Sequence, residues 1–413
     1  MGSGNRRGRR FMSARVRLLL VAVLLSFAVL MTALAFKSHG PQQVPVARGV
    51  VNGSFHPIAG TFAPDDTTLS ACGADPRCLE QAFGNLAYNA GPRSALAEFD
   101  RRRAVDNTVA TDCHRIAHTI GSAALARFKG NVAKTYSQGS PSCASGYYHG
   151  ILERAFVGVD SEHGLIKAAR SLCSGAGVRR MGFLDYQCVH GLGHGLMIQT
   201  GYDLPTALSV CRHLQTRWDE ISCTGGIFME NGSTVYGMRS RWLKDDDPLY
   251  PCPRVGLRSR GSCYLRVTTQ ILRTNHFNWP DTAARCRALA ERWAHYCFRS
   301  YGRDNVNSAG GNSELILKLC RLTGAGEGDC LYGAARTITD RVARADGAGA
   351  FCRGADLRYQ PACFAGVGVV IGLLEPTERK RVEACRHLSA LYVGECAKAA
   401  AAEIAPSGRG AWG

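Results

Sequence analysis

Cys286-Arg287-Ala288-Leu289, Cys320-Arg321-Leu322, Cys352-Arg353 and Cys385-Arg386-His387-Leu388 are variants of one phrase. Each is answered 10 or 11 residues later by a second cysteine: Cys297, Cys330, Cys363 and Cys396. Upstream, Cys252/Cys263, Cys211/Cys223 and Cys173/Cys188 continue the scheme with gaps of 11, 12 and 15. From Cys263 to Cys396 the second members advance by 34, 33, 33 and 33 residues. A fixed period near 33 is the mark of stacked helical hairpins. The second cysteine often opens Cys-x-x-Gly, as at Cys143, Cys188, Cys223, Cys330 and Cys363. Each unit therefore reads as a helix ending near the first cysteine, a short turn, and a helix beginning at the second. The glycine lets neighbouring helices approach closely. A disulfide across each hairpin closes a loop of about a dozen residues and contributes roughly 2–4 kcal/mol in the chain-entropy model. Units this small bury too little alone, so stacking and stapling act together. The expected fold is all-α: disulfide-stapled α-hairpin repeats, α-solenoid-like, with a period of about 33.

The remaining cysteines, Cys72, Cys78, Cys113 and Cys143, bring the count to 18, and no CxxC occurs among them. That excludes zinc ribbons, thioredoxin-type redox motifs and c-type haem attachment. Consecutive pairing into nine disulfides in an oxidising compartment is the economical reading. The N-terminus agrees with export. Leu18 to Phe36 is 19 residues without a charge, preceded by Arg6, Arg7, Arg9, Arg10, Arg15 and Arg17 and followed by Lys37. Such a run spans a bilayer as a helix, with its positive flank cytoplasmic. The expected location is the cell membrane, single-pass, with the body on the extracytoplasmic side. Ala33-Leu34-Ala35 also fits a cleavage site, which would leave a secreted body.

In a 413-residue chain this gives a basic segment at 1–15, an anchor or signal core at 16–36 and a flexible linker at 37–66. Helical units with a His/Glu cluster follow at 67–205, hairpin repeats at 206–404 and a disordered tail at 405–413. Hydrophobic residues at 46% rule out a mainly disordered chain. Taking the six N-terminal arginines from the net charge of +17 still leaves the body at +11. An anionic envelope component is thus an expected partner, besides the membrane at 18–36; nucleic acid is not expected for an exported body. Arg212, Arg287, Arg321, Arg353 and Arg386 recur after the first cysteine, where a charge complementing the helix dipole is the simplest role. Asp245-Asp246-Asp247-Pro248 reads as a solvated turn rather than a calcium loop.

Chemistry concentrates elsewhere. Cys113-His114-Arg115-Ile116-Ala117-His118 contains HxxxH, as does Cys188-Val189-His190-Gly191-Leu192-Gly193-His194; His149-Gly150-Ile151-Leu152-Glu153 is HxxxE. Spacing of four puts both members of each pair on one helix face. His149 and His194 each fall six residues after a cysteine, so neighbouring units should bring them together. The same position later holds Met229, Thr269, Arg303, Arg336 and Val369, so histidine is not part of the repeat's structural pattern.

His114, His118, His149, Glu153, His190 and His194 are therefore the expected metal ligands, for one site with spare ligands or two sites of three. Glu153 could serve instead as a general base. Imidazole with carboxylate suits one or two divalent ions of Zn, Cu, Fe or Mn. Gly191, Gly193 and Gly195 weaken helix propensity there. No GxSxG elbow or glycine-rich phosphate loop is present. Two functions fit: an extracytoplasmic metalloenzyme, hydrolase or oxidase, or a non-catalytic solenoid scaffold binding a cell-envelope partner.

Overall fold

Twenty α-helices account for most of the described chain, which in this computed structural model comprises residues 44–179, 182–233 and 236–404. The expected anchor at 18–36 and the tail at 405–413 lie outside the described residues. No described helix is long and apolar enough to cross a membrane. The helices, in chain order, are α1 Pro76–Ala90, α2 Pro92–Arg103, α3 Asn107–Thr111, α4 Cys113–Arg127, α5 Val132–Tyr136, α6 Ser142–Arg154 and α7 Glu162–Gly175. There follow α8 Phe183–Gln199, α9 Leu204–Arg212, α10 Arg217–Asn231, α11 Leu257–Tyr264, α12 Val267–Thr274 and α13 Trp279–Arg287. The last are α14 Glu291–Ser308, α15 Ser313–Arg321, α16 Glu327–Val342, α17 Asp346–Arg353, α18 Gln360–Leu374, α19 Glu378–Leu388 and α20 Val393–Glu403.

All nine disulfides join consecutive cysteines, and no cysteine is free. Six of them tie an outer helix to the inner helix that follows, as in α7–α8, α9–α10, α13–α14, α15–α16, α17–α18 and α19–α20. The outer helices α9, α13 and α15 start sharply because a side chain satisfies their first free N–H groups: Asp203 caps α9, Asn278 caps α13 and Asn312 caps α15. They end on the recurring arginines, and these reach further than the helix dipole alone requires. Arg287 donates to the Leu322 carbonyl (3.1 Å) and Arg353 to the Leu388 carbonyl (3.0 Å), each fastening one outer hairpin to the next.

The inner helices pack in succession: α4 on α6, α6 on α8, α8 on α10, then α14 on α16, α16 on α18 and α18 on α20. Close approach is built in. A Cβ at Gly226 would collide with the His190 carbonyl, and one at Gly150 with the His118 carbonyl. Glycine-rich α8 is accordingly a full helix, buried on nearly every side, because tertiary packing outweighs intrinsic propensity.

The array returns on itself. Helix α16 packs against α6, and α18 against α8, so Arg336 comes within 3.5 Å of the Tyr186 hydroxyl. A cavity of about 710 Å³ lies within this return.

Three details differ from the sequence reading. From Val46 to Asp66 the expected linker lies along the helices: Ile58 N donates to Ile198 O (3.0 Å) and Phe62 is buried. Within it, Val50–Val51 pairs antiparallel with Ser54–Phe55, a two-stranded ribbon where no strand was expected. The apolar core also ignores the boundary at 205/206: one cluster runs from Ala47 to Phe298 and takes in Leu373, the other from Ala283 to Ala400. The insertion after α10 keeps Asp245, Asp246 and Asp247 exposed, as a solvated turn does, with Asp245 paired to Arg239 and Arg273.

Candidate metal centre

Four inner helices supply the polar cluster. His114 and His118 come from α4, His149 and Glu153 from α6, His190 and His194 from α8, and Glu230 from α10. Spacing of four places each pair on one face, and the glycine contacts draw the helices close enough for the pairs to meet. The six expected residues converge: His149 lies 5.5 Å (ring centre to ring centre) from both His114 and His118, 5.2 Å from His190 and 5.1 Å from His194.

Two groups of three could each hold a metal ion. In one, His114, His118 and His149 each offer a nitrogen, all within 4.8 Å of one another; in the other, Glu153, His194 and Glu230 do the same with a nitrogen and two carboxylate oxygens. His190 belongs to neither group. Its Nδ1 faces the Ser222 carbonyl at 3.2 Å, and Glu230 stands in the place expected for it.

The hydrogen bonds allow one consistent assignment of protons. Burial works against charge on His118, but Glu153 Oε1, 2.5 Å from its Nδ1, prevails and raises its pKa above the ordinary imidazole value. Glu153 is opposed by burial too, yet His118 holds it down to about 2. His118 is thus the charged ring, donating Nδ1–H to Glu153 and Nε2–H to His114 Nε2 at 3.0 Å. Burial, then the charge on His118, presses His114 down to about 3, so it stays neutral and gives Nδ1–H to the Cys143 carbonyl at 2.7 Å. Two imidazole nitrogens bound to one ion at about 2.0–2.1 Å stand roughly 3 Å apart. The proton between His114 and His118 therefore sits where an ion would bridge them.

His149 and His190 are driven well below the ordinary range, first by burial and then by the neighbouring His194 ring. With His149 Nε2 paired to Gln187 Oε1 (2.8 Å) and His194 Nδ1 to Glu230 Oε2 (2.9 Å), two buried nitrogens, His149 Nδ1 and His194 Nε2, have no hydrogen-bond partner. Each is a polar atom shielded from water, and such groups are costly unless something binds them. Tyr236 donates to Glu153 Oε2 at 2.6 Å and Tyr202 to Glu230 Oε1 at 2.9 Å, so both carboxylates are held in place.

The cavity touches only part of this cluster. His114, His149 and His190 line it, whereas Glu153, His194 and Glu230 are buried and do not. Later members of the same register, Met229, Thr269, Arg303 and Arg336, also line it. Tyr147 and Tyr148 are core residues, with the Tyr147 hydroxyl bonded to the Thr135 carbonyl at 2.8 Å.

Sequence reasoning missed Glu230, Gln187, Tyr202 and Tyr236. Glu230 stands seven residues after Cys223 instead of six, one step off the register that picked out the histidines. Compared with protein-family models, curated proteins and solved structures, the chain matches none.

Proposed function

We propose that this chain is a membrane-tethered, extracytoplasmic metal-dependent enzyme. One or two ions of Zn, Cu, Fe or Mn are held by His114, His118 and His149 and by Glu153, His194 and Glu230. The buried, unpartnered His149 Nδ1 and His194 Nε2 carry the reading, because a buried imidazole nitrogen left without a hydrogen-bond partner is free to take a Lewis acid. Gln187 and the Cys143 carbonyl then orient His149 and His114 from behind, the usual second layer of a metal site. Because only the first group reaches the cavity, through His114 and His149, its ion would meet substrate, and the second would act from the interior. Glu153 is better suited to orienting His118 and ligating than to acting as a general base, since it does not line the cavity. Compartment and tether follow from the nine disulfides and the run at 18–36. The oxidising location also suits a stapled repeat array.

One observation favours a purely structural cluster: the Glu153–His118–His114 chain is satisfied by protons alone. Equilibrium binding of Zn²⁺, Cu²⁺, Fe²⁺ and Mn²⁺ separates the two. Wild type and His387→Ala should bind at least one of these ions at one or two per chain, and His149→Ala should lose at least tenfold in affinity. Absence of binding by folded wild type leaves the scaffold reading in place.

A further inference from the structure

The cavity is electrically lopsided. One wall presents His114, His149 and His190. Across the lining as a whole, six arginines face only two aspartates, Asp304 and Asp340.

Arg266, Arg303 and Arg336 line the cavity together, and burial, then the charge of Arg303, lowers the Arg266 pKa to about 9. Arg266 stands at the break between α11 and α12, and its side chain makes no hydrogen bond or short ion pair among the described residues. Arg303 is braced by Asp304, by the Leu265 carbonyl at 2.7 Å and by Thr269 Oγ1 at 2.6 Å. Arg336 reaches the same space with Tyr186, Glu403 and Asp340 around it, and these outweigh burial and raise its pKa. Gathering like charges in a partly desolvated space is unfavourable unless an anion joins them. Guanidinium forks present planar pairs of N–H donors that suit an anion with several terminal oxygens better than a lone carboxylate. The volume of about 710 Å³ admits an organic molecule of ordinary metabolite size.

We infer that the cavity takes a small organic ligand carrying a tetrahedral oxyanion, a phosphate or sulfate ester group, seated against Arg266, Arg303 and Arg336. The inference rests on the metal reading only in placing the ligand's reacting end toward the histidine wall. Anion capture itself needs no ion.

Calorimetric titration with inorganic phosphate, inorganic sulfate and acetate tests it, on metal-loaded and metal-stripped wild type, Arg266→Gln, Arg303→Gln and His149→Ala. Folding of each is checked by circular dichroism. Phosphate or sulfate should bind wild type at least tenfold more tightly than acetate, and the tighter of the two names the group. Both arginine variants should lose at least tenfold in that affinity while retaining metal, and His149→Ala should do the reverse. Binding that is unchanged in both folded arginine variants, or acetate binding as tightly as either oxyanion, overturns the inference. If oxyanions bind but no metal does, the proposed enzyme falls and the anion site stands.

Discussion

His118 is where the account is most sensitive to a single proton. Its charge is held by Glu153, and its Nε2–H occupies the bridge to His114. An ion entering between those rings must displace that proton, and His118 binds it more tightly than ordinary imidazole does. Metal affinity should therefore rise steeply with pH across the neutral range, with proton release visible as a buffer-dependent enthalpy in calorimetry. A pH-independent affinity between pH 6 and 8 would remove His118 from the ligand set.

Stability of the metal-free protein has its own pH dependence. His114, at about 3, and the strongly lowered His149 and His190 bind a proton more weakly folded than at the ordinary value of 6.5. Their contribution is complete above pH 6.5 and is lost as pH falls through that value toward the folded pKa. His118, with its raised pKa, works in the opposite direction but is one against three. Melting temperature without metal should drop on acidification from pH 7 to pH 4; a flat profile contradicts the buried neutral state. Gly226→Ala, which puts a methyl against the His190 carbonyl, should cost about 1–3 kcal/mol in urea unfolding.

At the scale of elements, much was legible and the reason is simple. A covalent staple leaves an explicit mark, so cysteine spacing gave most hairpins and all nine pairings. From α8 onward, however, the inner helices start three to six residues before the second cysteine instead of at it, and Cys252 lies on no helix. HxxxH and HxxxE spacing gave the face each pair shares. Glu230 was hidden because it stands one position off the register that picked out the histidines. The ordered path of residues 46–66 was hidden because proline and glycine content reports local stiffness, while docking depends on particular contacts such as Phe62 against Gly84. Replacing Cys211 and Cys223 by serine should lower stability by about 2–4 kcal/mol, measured by urea unfolding, since that staple closes a 12-residue separation. It should also weaken metal binding, because α10 carries Glu230. Unchanged stability would show that helix packing alone holds the hairpin.

For the whole molecule, return of α16 onto α6 and of α18 onto α8 is what turns a row of hairpins into a chamber. A period in the sequence records how each unit meets the next, not how many units complete a turn. The contact between first and second halves was therefore not readable, and with it the cavity. It explains why one register carries histidine early and arginine late: the two halves line the same space from different sides. The central claim is that the cluster exists to hold metal. The most direct test is elemental analysis after metal loading and exhaustive dialysis, on wild type beside a folded His194→Ala variant. Wild type should retain one or two transition-metal ions per chain, and the variant should lose at least one of them. Metal-free wild type, or equal metal in both proteins, would contradict the account.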